Sequence, residues 1–299
     1  MGKKDFVNQQ YSVAQKGGNL KDGTKKTRST SFISGTFFSI SLIISVTLVA
    51  FSIVFFFSPV YGSSMMATLN ANCPVTNISN FTEDSVLVNR FKQPVRGDII
   101  VVKFYYTEGS ARAEMHDSGG GYSYFIKRLI AFGGESVYFR REPNDLGGFS
   151  DYKYIIEVNG EPINESYLDL KWGKNITYED FWNMQQGTAT YPAYYNSQDV
   201  PTNWYDSAGQ PCFQEVTRNG ITRRELVIPQ DRMFFMGDNR GGDNDSEGKA
   251  LKSMDCTCFG PQPAANLVGT VVEKAMTGES PLHYAWRKIC EFFTFRWLF

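Results

Sequence analysis

Apolar residues fall along this chain as one long block followed by a series of short ones. No Asp, Glu, Lys or Arg occurs from Ser29 to Thr82. The heart of that stretch, FFSISLIISVTLVAFSIVFFF (Phe37–Phe57), matches the roughly 20 residues a helix needs to cross hydrocarbon. Its serines and Thr47 can bond back to the helix's own carbonyls, so they do not veto a span. A cleaved signal peptide is the rival reading. Its apolar region is usually shorter and nearer the N-terminus, whereas this one follows a polar segment of residues 1–30, so an uncleaved anchor over 31–58 is expected.

Beyond the anchor the period changes. SVLVNRF (85–91), DIIVVKFYY (98–106), YFIKRLIAF (124–132), SVYFRR (136–141), YIIEVNG (154–160), ELVIP (225–229), MFFMGDN (233–239) and LVGTVVEK (267–274) are β-branched or aromatic runs. Each is bounded by Gly, Pro, Asn or Asp, which reads as strands and turns. The pattern predicts a mainly β protein: an antiparallel β-sheet ectodomain behind one N-terminal transmembrane helix. Residues 59–167 and 224–276 form its two parts. Residues 168–223, rich in Asn, Tyr, Trp and Gln, read as a loop-rich insertion. Residues 277–299, ending YAWRKICEFFTFRWLF, read either as a final packed element or as an interfacial aromatic anchor.

Charge orients the anchor. Lys3, Lys4, Lys16, Lys21, Lys25, Lys26 and Arg28 precede it against Asp5 and Asp22. Basic flanks stay in the cytoplasm, so everything after Pro59 is expected on the outer face of the cytoplasmic membrane. Residues 1–30 read as a disordered tail. A net charge of −1 gives no argument for nucleic-acid binding. The five cysteines (Cys73, Cys212, Cys256, Cys258, Cys290) lack a repeated CxxC spacing, and with two histidines, His116 and His283, scattered structural thiols are expected ahead of a metal clamp. Asn-x-Ser/Thr sequons begin at Asn77, Asn80, Asn164 and Asn175, and chance suffices for them in an Asn-rich chain.

The candidate chemistry sits just past the anchor. A serine becomes a nucleophile only when a base takes its proton, and neither histidine has a persuasive context for a triad. A lysine can serve if its amine is neutral. Unperturbed, its pKa near ~10.4 leaves under about 0.1% neutral at pH 7, and burial beside apolar groups lowers it. Lys127 shares a strand face with Phe125 and Leu129. The plainer reading is an edge-strand lysine reaching for water.

Five boxes in order bear on that choice. GSSMMATL (62–69) resembles the G-x-S-M-x-P-T-L box of the bacterial type I signal peptidases, membrane-anchored Ser-Lys endopeptidases. RGDIIVVK (96–103), FIKRLIAFGGESV (125–137), FMGDNRGGDNDS (235–246) and NLVGTVV (266–272) are similar to the boxes that follow in that family. The resemblance spans Tyr61 to about Glu273, omitting the insertion and both tails.

The resemblance implies Ser64 as nucleophile and Lys127 as general base, with the Ser64 N–H donating to an oxyanion. Gly62 falls where some members carry a serine whose hydroxyl adds a second donor. Met65, Arg128, Gly237, Asp238, Asn239, Arg240, Asp243, Asp245 and Ser246 fall in the boxes as site support. Four kinds of departure stand out. Ala67 replaces the usual proline, and Phe132 and Gly133 replace leucine and proline. Asp243 falls where a serine commonly holds the lysine, and Glu247 where an arginine pairs with Asp245. A carboxylate touching Lys127 would raise its pKa, so Asp243 is expected to point away, with water or a hydroxyl such as that of Ser246 orienting the amine.

The activity implied is removal of signal peptides from exported preproteins after small residues, at A-x-A sites, without cofactor or metal. The partners implied are those preproteins and membrane lipid, with no nucleic acid and no obligate protein partner. The alternative is a membrane-tethered binding protein of the same fold that has lost activity.

Overall fold

The computed structural model describes residues 24–66, 68–72, 82–105, 122–145, 147, 150–168, 176–189, 203–240, 254–275, 283–284 and 286–288. The chain divides into two units, residues 1–52 and 53–299.

Among the described residues, the first unit holds most of helix α1 (Thr24–Val54). Its segment Ser34–Val54 is the helix, among the described residues, long and apolar enough to cross a membrane. Ser39 and Thr47 donate to the carbonyls of Gly35 and Ile43 four residues back, at 3.0 and 2.8 Å, which satisfies their hydroxyls within the helix. The apolar run does not stay helical to its end. Phe55–Tyr61 is a strand, β1, and its three phenylalanines pair with the next strand. Aromatic side chains and Pro59 suit an edge strand as well as they suit a bilayer, so the anchor expected over 31–58 runs past the helix end at Val54.

The second unit is mainly antiparallel β-sheet, as the alternation predicts. β2 (Thr82–Asn89), β3 (Ile99–Tyr105), β4 (Tyr122–Phe132), β5 (Ser136–Pro143) and β6 (Tyr152–Val158) follow β1. After the short β7 (Glu161–Pro162) come helix α2 (Ile176–Gln185), β8 (Phe213–Arg218), β9 (Ile221–Val227) and β10 (Arg232–Met236). A one-turn helix α3 (Cys256–Phe259), β11 (Gln262–Pro263) and β12 (Leu267–Lys274) complete the described order. One sheet runs β1-β2-β12-β3-β4-β10-β11 and the other β7-β6-β5-β9-β8.

The main core lies between the sheets: Ile100, Val102, Leu129 and Phe234 from the first meet Phe139, Ile156, Phe213 and Leu226 from the second. A second apolar cluster, Val60, Met65, Leu69, Val86, Val88 and Val101, lies apart from it. The β4–β5 turn explains one departure from the resembled boxes. A Cβ on Gly133 would lie 2.2 Å from the Gln230 carbonyl oxygen, so no side chain fits where the family often has proline.

The stretch expected to be loop carries α2 and β8. Tyr178, Phe181 and Met184 recur at helical spacing and are buried, and Trp204 packs into the same core. Gln185 then acts as a piece of strand: its side-chain oxygen accepts from Phe139 N at 2.8 Å and its amide donates to Phe139 O at 2.9 Å.

Candidate active site

Ser64 stands in the turn that follows β1. Gly62 adopts φ +80°, which an L side chain resists, and lets the chain double back. Past Ser64, Leu69 N donates to Met65 O at 2.8 Å and Met66 N to Ser63 O at 3.0 Å. Met65, 1% exposed, drives into the cluster of Val60, Val86 and Val101 and fixes the turn from below. Asn70, fully buried at φ +54°, fixes it from the side. Its amide donates to the carbonyls of Val60 (2.8 Å) and Gly62 (3.0 Å), while its oxygen accepts from the N–H groups of Glu83 (3.1 Å) and Asp84 (3.0 Å). All the bonding capacity of one side chain is spent tying the Ser64 turn to β2.

Lys127 comes from the middle of β4, which β3 flanks on one side and β10 on the other. Its Nζ lies 2.7 Å from Ser64 Oγ and 3.0 Å from the carbonyl of Ile126. The residue is 3% exposed, with the amine 5.3 Å from the centre of the Phe125 ring. Burial pushes the Lys127 amine down to about 8, against the pull of the Asp255 and Asp238 carboxylates. At that value roughly a tenth of the amines are neutral at pH 7. A neutral amine at this distance can accept the hydroxyl proton, which an edge lysine in water could not do at this pH.

The next residue along β4 points the opposite way and does structural work. Arg128 donates to Asp238 through Nε (2.7 Å) and Nη2, and to Gly97 O through Nη1 at 2.6 Å. Asp238 also accepts from the Thr68 hydroxyl at 2.6 Å. Asn239 reaches the Ser64 turn directly, its N–H to Ser64 O and its side-chain amide to Ser63 O, both at 3.1 Å. Arg240, 2% exposed, donates from Nε to Gly237 O at 2.7 Å and pairs with Glu165 at 2.6 Å. Gly237 N donates to the buried Asp255 at 3.0 Å, and Asp255 also caps α3 by accepting from Thr257 N at 3.0 Å.

A nucleophile-capable serine, a buried lysine and an acid–arginine brace thus meet within hydrogen-bond distance. The family model described as "Signal peptidase, peptidase S26" matches residues 34–276. The chain belongs to that family. It is 26% identical over 180 residues to Signal peptidase I of Aquifex aeolicus (strain VF5), covering 58% of this chain and 63% of that protein. The chain therefore spans somewhat less than two thirds of that relative's length.

Of the residues that the resemblance assigns to a site, Gly62, Ser64, Met65, Lys127, Arg128, Gly237, Asp238, Asn239 and Arg240 are gathered around the Ser64–Lys127 contact. Asp243, Asp245, Ser246 and Glu247 lie outside the described residues, as do Ala67, His116, Cys73 and Cys290. A partner that orients the amine is the Ile126 carbonyl, a backbone group with no sequence signature. Three side chains went unassigned in the sequence. Thr68 was inside a box, Asp255 stands as a capping acid before α3, and Asn70 had no local signal at all. Cys212, Cys256 and Cys258 are buried, and Cys256 Sγ accepts from Phe235 N at 3.3 Å.

Proposed function

We propose that this S26-family protein is a membrane-anchored serine endopeptidase that removes N-terminal signal peptides from exported preproteins. Ser64 is the nucleophile and Lys127 the general base. The 2.7 Å contact between Lys127 Nζ and Ser64 Oγ, made by a buried amine, carries this reading.

Neutral Lys127 takes the Ser64 proton as Oγ attacks the scissile carbonyl, and the Ser64 N–H donates to the developing oxyanion. The ammonium of Lys127 then protonates the leaving amine. Once neutral again, it activates water to release the acyl-enzyme. The substrate lies extended beside the sheet, its backbone bonds giving affinity. Small side chains one and three residues before the cut fill the pockets, in the A-x-A manner. The chemistry uses no metal or cofactor.

Residues 1–30 remain in the cytoplasm, and the helical part of the expected 31–58 anchor, which ends at Val54, holds the chain in the cytoplasmic membrane. The catalytic parts, 59–167 and 224–276, act on the outer face. The basic residues ahead of the apolar segment support this orientation, and the absence of charge from Ser29 through Thr82 supports the span. A preprotein's apolar segment lies in the same bilayer, so a nucleophile tethered close to the anchor meets the cleavage site at high effective concentration.

The test is cleavage of an A-x-A precursor by the purified full-length protein. Wild type cuts, and Ser64→Ala and Lys127→Ala each do not; full activity in either variant ends the reading. Asp243→Ser keeps or raises the rate.

A further inference from the structure

The turn after β7, residues 163–168, lies outside every box that marks the site, yet it touches both arginines of the site. Glu165 Oε1 sits 2.6 Å from Arg240 Nη2, with the two side chains 12% and 1% exposed. Two residues on, the Tyr167 ring covers Arg128, whose guanidinium carbon is 3.7 Å from the ring centre. The Tyr167 hydroxyl donates to Glu165 at 3.3 Å, so the two are also joined to each other. The turn is not loose. Ile163 N donates to Ile156 O on β6 at 3.0 Å, Ser166 N to the Asn164 side chain at 3.0 Å, and Leu168 N to Glu165 O at 2.9 Å.

Each arginine leads onward to the dyad. Arg240 holds the Gly237 carbonyl, and the next residue back, Asn239, bonds the carbonyls of Ser63 and Ser64. Arg128 holds Asp238, which accepts from Thr68 in the Ser64 turn, and it follows Lys127 directly on β4. Position of the nucleophile relative to the base is therefore set from both sides by cations whose own position depends on Glu165 and Tyr167.

We propose that Glu165 and Tyr167 are positioning residues: together they brace Arg240 and Arg128 and so hold Ser64 in register with Lys127. This rests on the Ser64–Lys127 reading for its catalytic consequence, though not for the brace itself. Glu165 supplies the countercharge that a guanidinium at 1% exposure requires. Tyr167 supplies a flat face that covers the Arg128 guanidinium, and its long hydroxyl bond to Glu165 is secondary to that ring contact. A rigid outer support of this kind acts on the rate of a step that demands near-contact geometry, and leaves substrate affinity largely alone.

The experiment compares full-length wild type, Glu165→Gln, Tyr167→Leu and Tyr167→Phe on the same A-x-A precursor and by backbone hydrogen exchange. Glu165→Gln and Tyr167→Leu are expected to lower kcat by about 10- to 100-fold with KM within about threefold, since no substrate contact is lost. Tyr167→Phe keeps the ring on Arg128 and stays within about threefold of wild-type kcat. In the two damaging variants exchange quickens at residues 62–69 and 237–240, while β5 and β12 hold their rates. The proposal is overturned if both variants keep kcat within about twofold of wild type, or if exchange quickens equally in β5 and β12. Should Glu165→Gln fail to fold, the contrast between leucine and phenylalanine at 167 decides the matter. A wild type that does not cleave, or a Ser64→Ala variant that does, would refute the catalytic reading, while the exchange contrast still tests the brace.

Discussion

Arg128 grips Asp238 across 110 positions of sequence, Nε to Oδ1 at 2.7 Å and Nη2 to Oδ2, in a pair closed off from water. Arg128 adjoins Lys127, and Asp238 adjoins the asparagine that bonds the Ser63 and Ser64 carbonyls. One planar, bidentate contact thereby fixes the distance between two strands' worth of chemistry.

Removing one partner of that pair should cost far more than removing both. Asp238→Ala leaves a buried guanidinium without its countercharge and is expected to destabilise the protein by about 3–5 kcal/mol. The double variant Arg128→Met, Asp238→Leu should recover a good part of that loss, because no charge is then stranded. Urea unfolding midpoints of the three proteins check this. Cleavage should remain impaired in the double variant, since Thr68 loses its acceptor as well.

Cleavage should rise with pH through the Lys127 titration. In the proposed mechanism Lys127 acts as free amine, and burial pushes its pKa down to about 8. On the acid side kcat/KM is expected to fall about tenfold per pH unit and to level off above pH 8 to 9. A profile already flat at pH 6, measured on the full-length protein, would contradict the lysine's role.

Stability should carry the same titration with a definite sign. The folded-state pKa lies below the value of 10.5 for a free lysine, so between about 8 and 10.5 the unfolded chain binds more protons and stability grows with pH. Below pH 8 both states are protonated and the whole penalty is present, roughly 3 kcal/mol for a shift of this size. Lys127→Met should therefore raise stability by up to about that amount at neutral pH, with the gain fading above pH 10. Denaturant titrations at pH 7 and pH 10 would show it.

Asn70→Ala strips two carbonyls and two N–H groups of their partner in a fully buried place. A loss of about 2–4 kcal/mol is expected, with activity falling alongside it because the Ser64 turn is what the amide holds. Thermal unfolding and cleavage rate, measured together, test the link.

Much of this protein was legible along the chain. The apolar part of helix α1 showed as a long uncharged run, of the length a membrane span needs. The eight strands read from the alternation all appear in the sheets, with β12 matching residue for residue. Phe125, Lys127 and Leu129 share the face that a period of two assigns them: the amine sits beside the Phe125 ring, and Leu129 lies in the core that Phe125 packs against. Helix α2 was less visible, because its apolar residues Tyr178, Phe181 and Met184 cover barely two turns among polar neighbours. Strand β1 was hidden by phenylalanines that serve a lipid span and an edge strand equally well.

The sequence by itself determined the elements and the kinds of chemistry available, because periodicity and residue type are local properties. It could not tell a lysine that reaches water from one that is shut away from it. That difference depends on what β10, α3 and the Ser64 turn place around β4, and these arrive from positions dozens to more than a hundred residues distant. Only tertiary structure brought Ser64 to Lys127, gave Arg240 the countercharge of Glu165 and filled Asn70's four bonds. A pKa, a bond distance and a satisfied buried amide are properties of surroundings, and the chain acquires its surroundings by folding.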